Sequence, residues 1–545
     1  MQRLEAPSRR QVLIGGMSLA AVAGVVGPAA FPSPATGYRH HRFQHGVASG
    51  DPTTDAVVIW TRVTPTIEAV PGSGLGEPAE VLWEVAADEE LTEVVTSGTV
   101  TTDPRSDHTV KLDVTGLLPG QTYYYRFTSG TDVSPIGRTT TTPANHADAG
   151  SLRFGVVSCA NWQAGWFSAY RHLAERGDLD AVIHLGDYIY EYENGKYSYG
   201  YDWVDVRGHQ PPHETVTLAD YRIRHGQYKT DPDLQQLHAQ VPFIVTWDDH
   251  EVADGWYPGG AFEHQPEEGS FDERVWSAQR AYDEWMPVRL GGTAVVGDGN
   301  RIYRRIRFGG LVDLLMLDLR GYRDERVDAD DPATDAADRQ MTGAEQFDWL
   351  VSELESSEAR WKLIGNPVMV APMLMPQRPR GQQLALVTTT DPMSWGPAEA
   401  NTDTWDGYPV QRRALLQRIE EQAIDDVVFL SGDVHTAWAN EIRGSGGAPV
   451  AAEFVCASVT SNNVDDYMGT PPRSVSVAME ESIVDLNPHV RFVNLDDHGY
   501  CVLEVDDAGA RMEWWAISDR ADATASTRRL ATRTLTAGSS RIQTV

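Results

Sequence analysis

Lysine and cysteine are the scarce residues of this chain. Only Lys111, Lys196, Lys229 and Lys362 occur, so positive charge rests almost wholly on arginine. Cys159, Cys456 and Cys501 cannot build a disulfide framework across 545 residues, and an odd count leaves at least one thiol free. Positive charge is short overall: 45 Lys and Arg against 78 Asp and Glu leave a formal net charge of −33. A surface this acidic repels nucleic-acid phosphates and argues against a DNA- or RNA-coating role. It leaves room for a phosphate-bearing substrate if bound cations reverse the sign locally. Beyond the first 30 residues no stretch approaches the ~20 apolar residues needed to cross a bilayer. Three catalytic signatures are missing as well. There is no Gly-x-Ser-x-Gly elbow. No lysine sits in a phosphate-cradling Gly-x-x-x-x-Gly-Lys loop. Asp254, four residues after His250, stands where a zinc-protease helix needs its second histidine. What is present suits a globular protein: 41% apolar residues, 16 Trp and 20 Tyr supply ample core.

The first residues read as an address. Ser8-Arg9-Arg10-Gln11-Val12-Leu13 precedes a mildly apolar, Gly- and Ala-rich run over 14–30, then a Pro-rich stretch over 28–34. Paired arginines before such a run resemble a twin-arginine export signal, expected over 1–35, and the composition favours cleavage over anchoring. The expectation is a secreted protein that engages the twin-arginine export machinery already folded and metal-loaded.

Two textures follow. Residues 43–143 read as all-β: 56–63 is strand-like and 81–85 alternates with period two. Leu117-Leu118-Pro119-Gly120-Gln121-Thr122-Tyr123 has the Leu-x-Pro-Gly-x-x-Tyr spacing of a tyrosine corner, which predicts a small immunoglobulin- or fibronectin-like sandwich. Residues 139–148 read as the linker out of it. From 150 to 517 short apolar strands (153–158, 181–185, 241–247, 311–317, 361–365, 427–430) alternate with helical segments (168–176, 218–228, 272–285, 343–354, 408–420). That alternation predicts a layered α/β domain. A hairpin is expected over 498–517, and the tail 518–545 reads as loose or as a final helix.

The chemistry-bearing residues stand where strands stop, which is where layered α/β proteins bind ligands. One strand runs into Ser158-Cys159, and a second into Gly186-Asp187-Tyr188-Ile189-Tyr190-Glu191. The others end at Trp247-Asp248-Asp249-His250-Glu251, Gly365-Asn366-Pro367 and Ser431-Gly432-Asp433-Val434-His435. Asp187, Asp249 and Asp433 brought together would repel one another unless metal ions lay between them. Cys159, Tyr190 and His435 suit a softer or more oxidised transition metal. The oxygen donors Asp249 and Asp433 suit calcium or magnesium, with Asn366 either a further donor or a turn cap. Asp187 is the natural bridge.

Taken in order, Gly-Asp-x-x-Tyr, Asp-His-Glu and Gly-Asp-x-His resemble the metallophosphoesterase fold and, within it, the PhoD-like alkaline phosphatases and phosphodiesterases. The resemblance spans nearly the whole chain. It implies a four-layer α-β-β-α sandwich behind the small β domain, with Fe3+ held by Cys159, Asp187, Tyr190 and His435. It implies Ca2+ held by Asp187, Asp249 and Asp433, and a catalytic His250 beside the metals that stabilises the transition state or protonates the leaving group. Phosphoesters are the implied substrates, attacked by a metal-activated hydroxide. The layout is similar to that of purple acid phosphatases, with departures. Cys159 replaces an Asp, Asp249 an Asn, and Asp433 and Asn366 each a His. A phospholipase D-like phosphodiesterase and a secreted, non-enzymatic binding protein are the alternatives, and the expected assembly is a monomer.

Blander roles are expected elsewhere. Asp248 reads as a supporting or helix-capping carboxylate and His184 as a satisfied core histidine. Cys456 and Cys501 read as buried thiols, His498 as a turn or site residue, and Tyr188 and Tyr192 as packing or lining residues. The Asp-rich stretch 324–338 reads as a solvated loop. Residues 193–217 and 373–406 could form walls or a lid over the site.

Overall fold

The computed structural model describes residues 42–145, 150–328, 331–374 and 401–545. The expected signal over 1–35 lies outside them, as do most of 373–406 and part of the 139–148 linker. Among the described residues no helix is long and apolar enough to cross a membrane.

Two large sheets face each other. In the first, Leu152–Val157, Ala181–His184 and Phe243–Val245 run parallel side by side. In the second, Val312–Met316, Trp361–Asn366, Val427–Ser431 and Pro449–Val455 do the same. The strands are apolar on both faces because both faces are covered, the usual signature of parallel sheets. Alternate residues serve alternate layers. Ile183, Ile244, Leu363 and Val428 pack between the sheets with Leu503 and Trp514. Val182, Val245, Ile364 and Phe429 point outward to helices. Ser168–Arg176, Leu218–Tyr228, Pro232–Gln240 and Phe271–Trp285 cover the first sheet; Gly343–Ser356, Pro409–Glu421 and Ser476–Leu486 cover the second. This is the expected four-layer α-β-β-α sandwich.

The N-terminal region is all-β, as expected. Its tyrosine corner is formed: the Leu118 N–H donates to the Tyr123 hydroxyl at 2.8 Å. Ala79–Ala86, Val94–Thr102 and Thr122–Ser129 belong to a separate five-stranded sheet. Val47–Gly50, Ala56–Arg62 and Thr109–Thr115 instead extend the first large sheet, Val47–Gly50 lying parallel to Phe243–Val245. The Trp60 indole donates to the Glu284 carbonyl at 2.8 Å, and Lys111 forms a buried ion pair with Asp283. The β region therefore shares a sheet with the domain it precedes.

The hairpin over 498–517 is present as Gly499–Val505 and Gly509–Ile517, which continues the same sheet beside Leu152–Val157. The tail corrects its expectation: Thr527–Thr536 is a strand paired along Gly509–Ile517, neither loose nor helical. Its burial is irregular, with Thr532 and Leu535 buried and Arg528, Arg529 and Thr536 exposed, and Gln543–Thr544 pairs with its far side at Arg533 and Thr534. Leu503 is fully buried between the two sheets. Leu503→Ala should therefore cost ~2–5 kcal/mol, read as a fall in the urea midpoint, and a shift equivalent to under ~1 kcal/mol would contradict this packing.

Candidate metal centre

Four strand endings converge. Cys159, Asp187 and His435 each offer a ligand atom within 4.8 Å of the others; so do Asp187, Asp249 and His250, and likewise Asp248, Asp249 and Asp433. All are buried. The backbone pays for the convergence: Cys159 (φ 59°), Asp187 (54°), Asp433 (63°) and His435 (56°) all adopt the left-handed region. For residues other than glycine that conformation costs ~1–3 kcal/mol each. Strain of this kind turns each side chain sharply off its strand into the shared space. Gly186 makes the closest approach possible, since at φ 106° an added Cβ would lie 2.5 Å from the Asp248 Cβ.

Tyr190 joins the first group. Its hydroxyl donates to Asp187 Oδ2 at 2.9 Å, lies 3.5 Å from His435 Nε2 and accepts from Ser461 Oγ at 2.6 Å. The His435 Nδ1–H faces the Asn462 carbonyl at 2.6 Å, leaving Nε2 as the ring nitrogen turned to the site. His250 Nδ1 pairs with Glu191 Oε2 at 2.8 Å, and its ring stacks on Tyr190 at 4.2 Å.

Burial dominates the electrostatics. It pushes Asp187 and Asp433 well above the usual carboxylate range, helped for Asp187 by Asp249 and for Asp433 by Asp248. Burial and the Asp187 charge also raise the Cys159 thiol and the Tyr190 phenol. Burial takes His435 down to about 3. For Asp249, burial is outweighed by Arg320, and the group stays below its ordinary value. His250 would be lowered by burial, yet Glu191, Asp187 and Asp249 hold it well above 6.5.

Whether cations fit is answered by unpaired oxygens. Asp187 Oδ1, Asp249 Oδ1 and Asp433 Oδ2 are buried without a hydrogen-bond partner. One orphaned carboxylate oxygen per ligand, beside a thiol, a phenol and an imidazole nitrogen, is a donor set made for metal ions.

Several residues here were not singled out from sequence. Arg320 is the chief of them. Its guanidinium reaches Asp248 at 2.5 and 2.9 Å, Asp403 at 2.6 Å, Asp433 at 3.2 Å and Asp249 at 3.4 Å. Arg323 completes Asp403 at 2.8 Å. Glu251 accepts the backbone N–H groups of Asp187, Tyr188 and Asp248, which ties two strand endings together. Arg520, from the tail, donates to the Thr460 carbonyl at 2.5 Å and to Asn462 Oδ1 at 2.7 Å, and pairs with Asp466 at 2.7 Å. No local spacing signals Arg320 or Arg520, because their partners lie scores of residues away. The Glu of Asp-His-Glu was visible, but its role is a matter of loop contact.

Other expectations resolve plainly. Asp248 supports the site through Arg320. Asn366 is spent: its oxygen accepts the Trp405 indole at 2.9 Å and its nitrogen donates to Ser431 Oγ at 3.1 Å and to the Val368 carbonyl. His184 is a core histidine 3.0 Å from the Tyr170 hydroxyl. Cys456 and Cys501 are buried thiols. His498 is a site-supporting residue, 2.6 Å from Arg520 and 2.9 Å from the Ser461 carbonyl. Tyr188 and Tyr192 pack rather than line an entrance, bonded to His238 and Asp254 at 2.8 Å each.

A four-layer sandwich with buried metal-ligand types at its strand ends defines the phosphoesterase class. The profile described as "PhoD-like phosphatase" matches residues 154–514, and that of "PhoD-like phosphatase, N-terminal domain" matches 29–143. The chain belongs to the PhoD-like phosphatase family. It is 36% identical over 482 residues to "Alkaline phosphatase D" of Bacillus subtilis (strain 168), covering 86% of this chain and 76% of that one. The solved "Structure of PhoD" superposes with a TM-score of 0.80 at 32% identity, covering 94% of this chain and 93% of the other.

Removing the arginine tests the electrostatics. Arg320→Met should destabilise the fold by ~3–5 kcal/mol by stranding buried carboxylates, seen as a lower melting temperature. Pairing it with Asp248→Asn and Asp403→Asn should recover much of the loss, and no recovery would refute the compensating role.

Proposed function

We propose that the chain is an exported phosphoester hydrolase built around a ferric–calcium centre. The ferric ion would be held by Cys159, Asp187, Tyr190 and His435, and calcium by Asp187, Asp249 and Asp433. The observation that carries this reading is the set of orphaned oxygens on those three aspartates, buried beside the thiol, phenol and imidazole. When bound, such ions neutralise charge developing on phosphoryl oxygens and acidify water at the site. Calcium is favoured for the second position because the donors are hard oxygens. The arginine shapes that position: Arg320 takes both oxygens of Asp248 and one each of Asp249 and Asp433, so Asp249 Oδ1 and Asp433 Oδ2 are the oxygens left for it.

The chain's own residues do the rest. Glu191 occupies His250 Nδ1 and so leaves Nε2 to move a proton to or from the substrate. The Asn462 carbonyl fixes the His435 tautomer in the same way. Ser461 and Asp187 hold the Tyr190 hydroxyl from two sides. Export rests on the arginine pair at Arg9 and Arg10 ahead of the apolar run.

Metal analysis of the purified chain, together with assays on nitrophenyl mono- and diesters, tests the reading. Cys159→Ser should lower iron and activity together and shift the visible absorption, because a thiolate contributes charge transfer to ferric iron. Iron retained with unchanged colour would remove Cys159 from the ligand set.

Two further variants separate binding from proton transfer. His250→Ala should keep most metal while turnover falls roughly 10²-fold or more. Asp187→Asn should lose both iron and calcium, and equal metal content in the two variants would overturn the assigned roles.

A further inference from the structure

Residues 193–217 leave one feature unused by this reading. The Tyr190 ring stacks at 6.1 Å on Tyr197. Tyr197 in turn accepts a hydrogen bond from the Tyr467 hydroxyl at 2.7 Å, the two rings 6.4 Å apart. Two residues on, Gly469 holds φ 59°, and the Tyr201 ring lies over it: an added Cβ would meet Tyr201 Cγ at 3.4 Å. Beyond that floor Tyr201 is 68%, Trp203 39% and Val204 62% exposed. Ring contacts thus run from a candidate ligand through Tyr197 to Tyr467, and Tyr201 packs on the Gly469 backbone two residues beyond, at the surface.

The exposed tip is held in place. Tyr199 and Val204 bridge across it, with N–H to carbonyl distances of 3.2 and 3.1 Å. The Gly200 N–H donates to Asn462 Oδ1 at 3.0 Å, and its carbonyl accepts from Asn462 Nδ2 at 3.2 Å. Arg520 lies 4.6 Å over the Tyr199 ring. Asn462 is the residue whose carbonyl also meets His435. The tip is therefore tied to a candidate ligand through one residue. A pinned, exposed aromatic tip whose underlying contacts, through buried Tyr197 and Asn462, lead to a reactive centre marks a binding surface rather than a chance exposure.

We propose that Tyr467, Tyr201 and Trp203, backed by the buried Tyr197, form the subsite for the organic group of the phosphoester, selecting esters whose leaving group is flat or extended and apolar. The inference rests on the phosphoesterase reading above. With the phosphoryl group at the carboxylates, the leaving group must lie outward, and the aromatic faces offer it phenol and indole surface. The charged side chain among residues 197–204 is Asp202, an anion, and Arg520 against the Tyr199 ring is already paired with Asp466, so the wall does not suit a second phosphate.

The purified metal-loaded protein is assayed on 1-naphthyl phosphate and glycerol phosphate. Binding of 1-naphthyl phosphonate, which cannot be hydrolysed, is measured by calorimetry. In the Tyr201→Ala/Trp203→Ala variant the ratio of kcat/KM for the naphthyl over the glycerol ester should fall about five- to tenfold, the scale of an aromatic contact. The loss should appear in KM, the phosphonate Kd should weaken in step, and Trp203→Tyr should restore most of both. An unchanged ratio with an unchanged Kd overturns the subsite. If the unaltered protein cleaves neither ester, the phosphoesterase reading fails by itself. The phosphonate then still decides: weaker binding in the double variant upholds the wall, and equal binding removes it.

Discussion

Buried carboxylates that cannot stay charged without a counter-ion set the terms for this protein. Asp187, Asp248, Asp249, Asp403 and Asp433 lie together out of water, and each isolated buried charge would cost several kcal/mol. Arg320 and Arg323 answer for Asp248 and Asp403 and part of Asp249 and Asp433. What remains is one unpaired oxygen on each of Asp187, Asp249 and Asp433. The protein thus supplies its own cation where support is needed and leaves the reactive face for ions from outside. A chain with a net charge of −33 gains from that arrangement, since an anionic substrate would otherwise meet a repelling surface.

Geometry follows from the same requirement. Parallel strands deliver their carboxyl ends to one side of each sheet, and left-handed turns at Cys159, Asp187, Asp433 and His435 swing the side chains inward. Such turns hold only if surrounding contacts over-determine them. Glu251 supplies three such contacts from backbone N–H groups. Arg520, from the far end of the chain, supplies others through the Thr460 carbonyl and Asn462 Oδ1. The N-terminal strands, inserted into the same sheet beside Phe243–Val245, brace the strand that leads to Asp249.

Strand endings with Cys, Asp, Tyr and His were legible in the amino-acid order, because an apolar run that stops at a polar cluster is a local signal. The helices 168–176 and 218–228 were legible for the same reason. Asn366 shows the limit. Its place after a strand matched that of a ligand, but Trp405, almost 40 residues later, takes its oxygen. The tail shows another. Its Thr- and Arg-rich composition carries little periodicity, and only the exposed edge of Gly509–Ile517 makes it a strand.

Local order alone determined the apolar strands, the helix faces, the tyrosine corner and which side chains stand at strand ends, since each depends on neighbours within a few residues. Tertiary structure decided the rest. Which carboxylates meet Arg320, which oxygens stay unpaired, how Tyr197 and Tyr467 line up behind Tyr201, and that the tail closes the sheet all depend on contacts between segments far apart in the chain. Those contacts follow from packing two sheets face to face, and no spacing within a single segment encodes them.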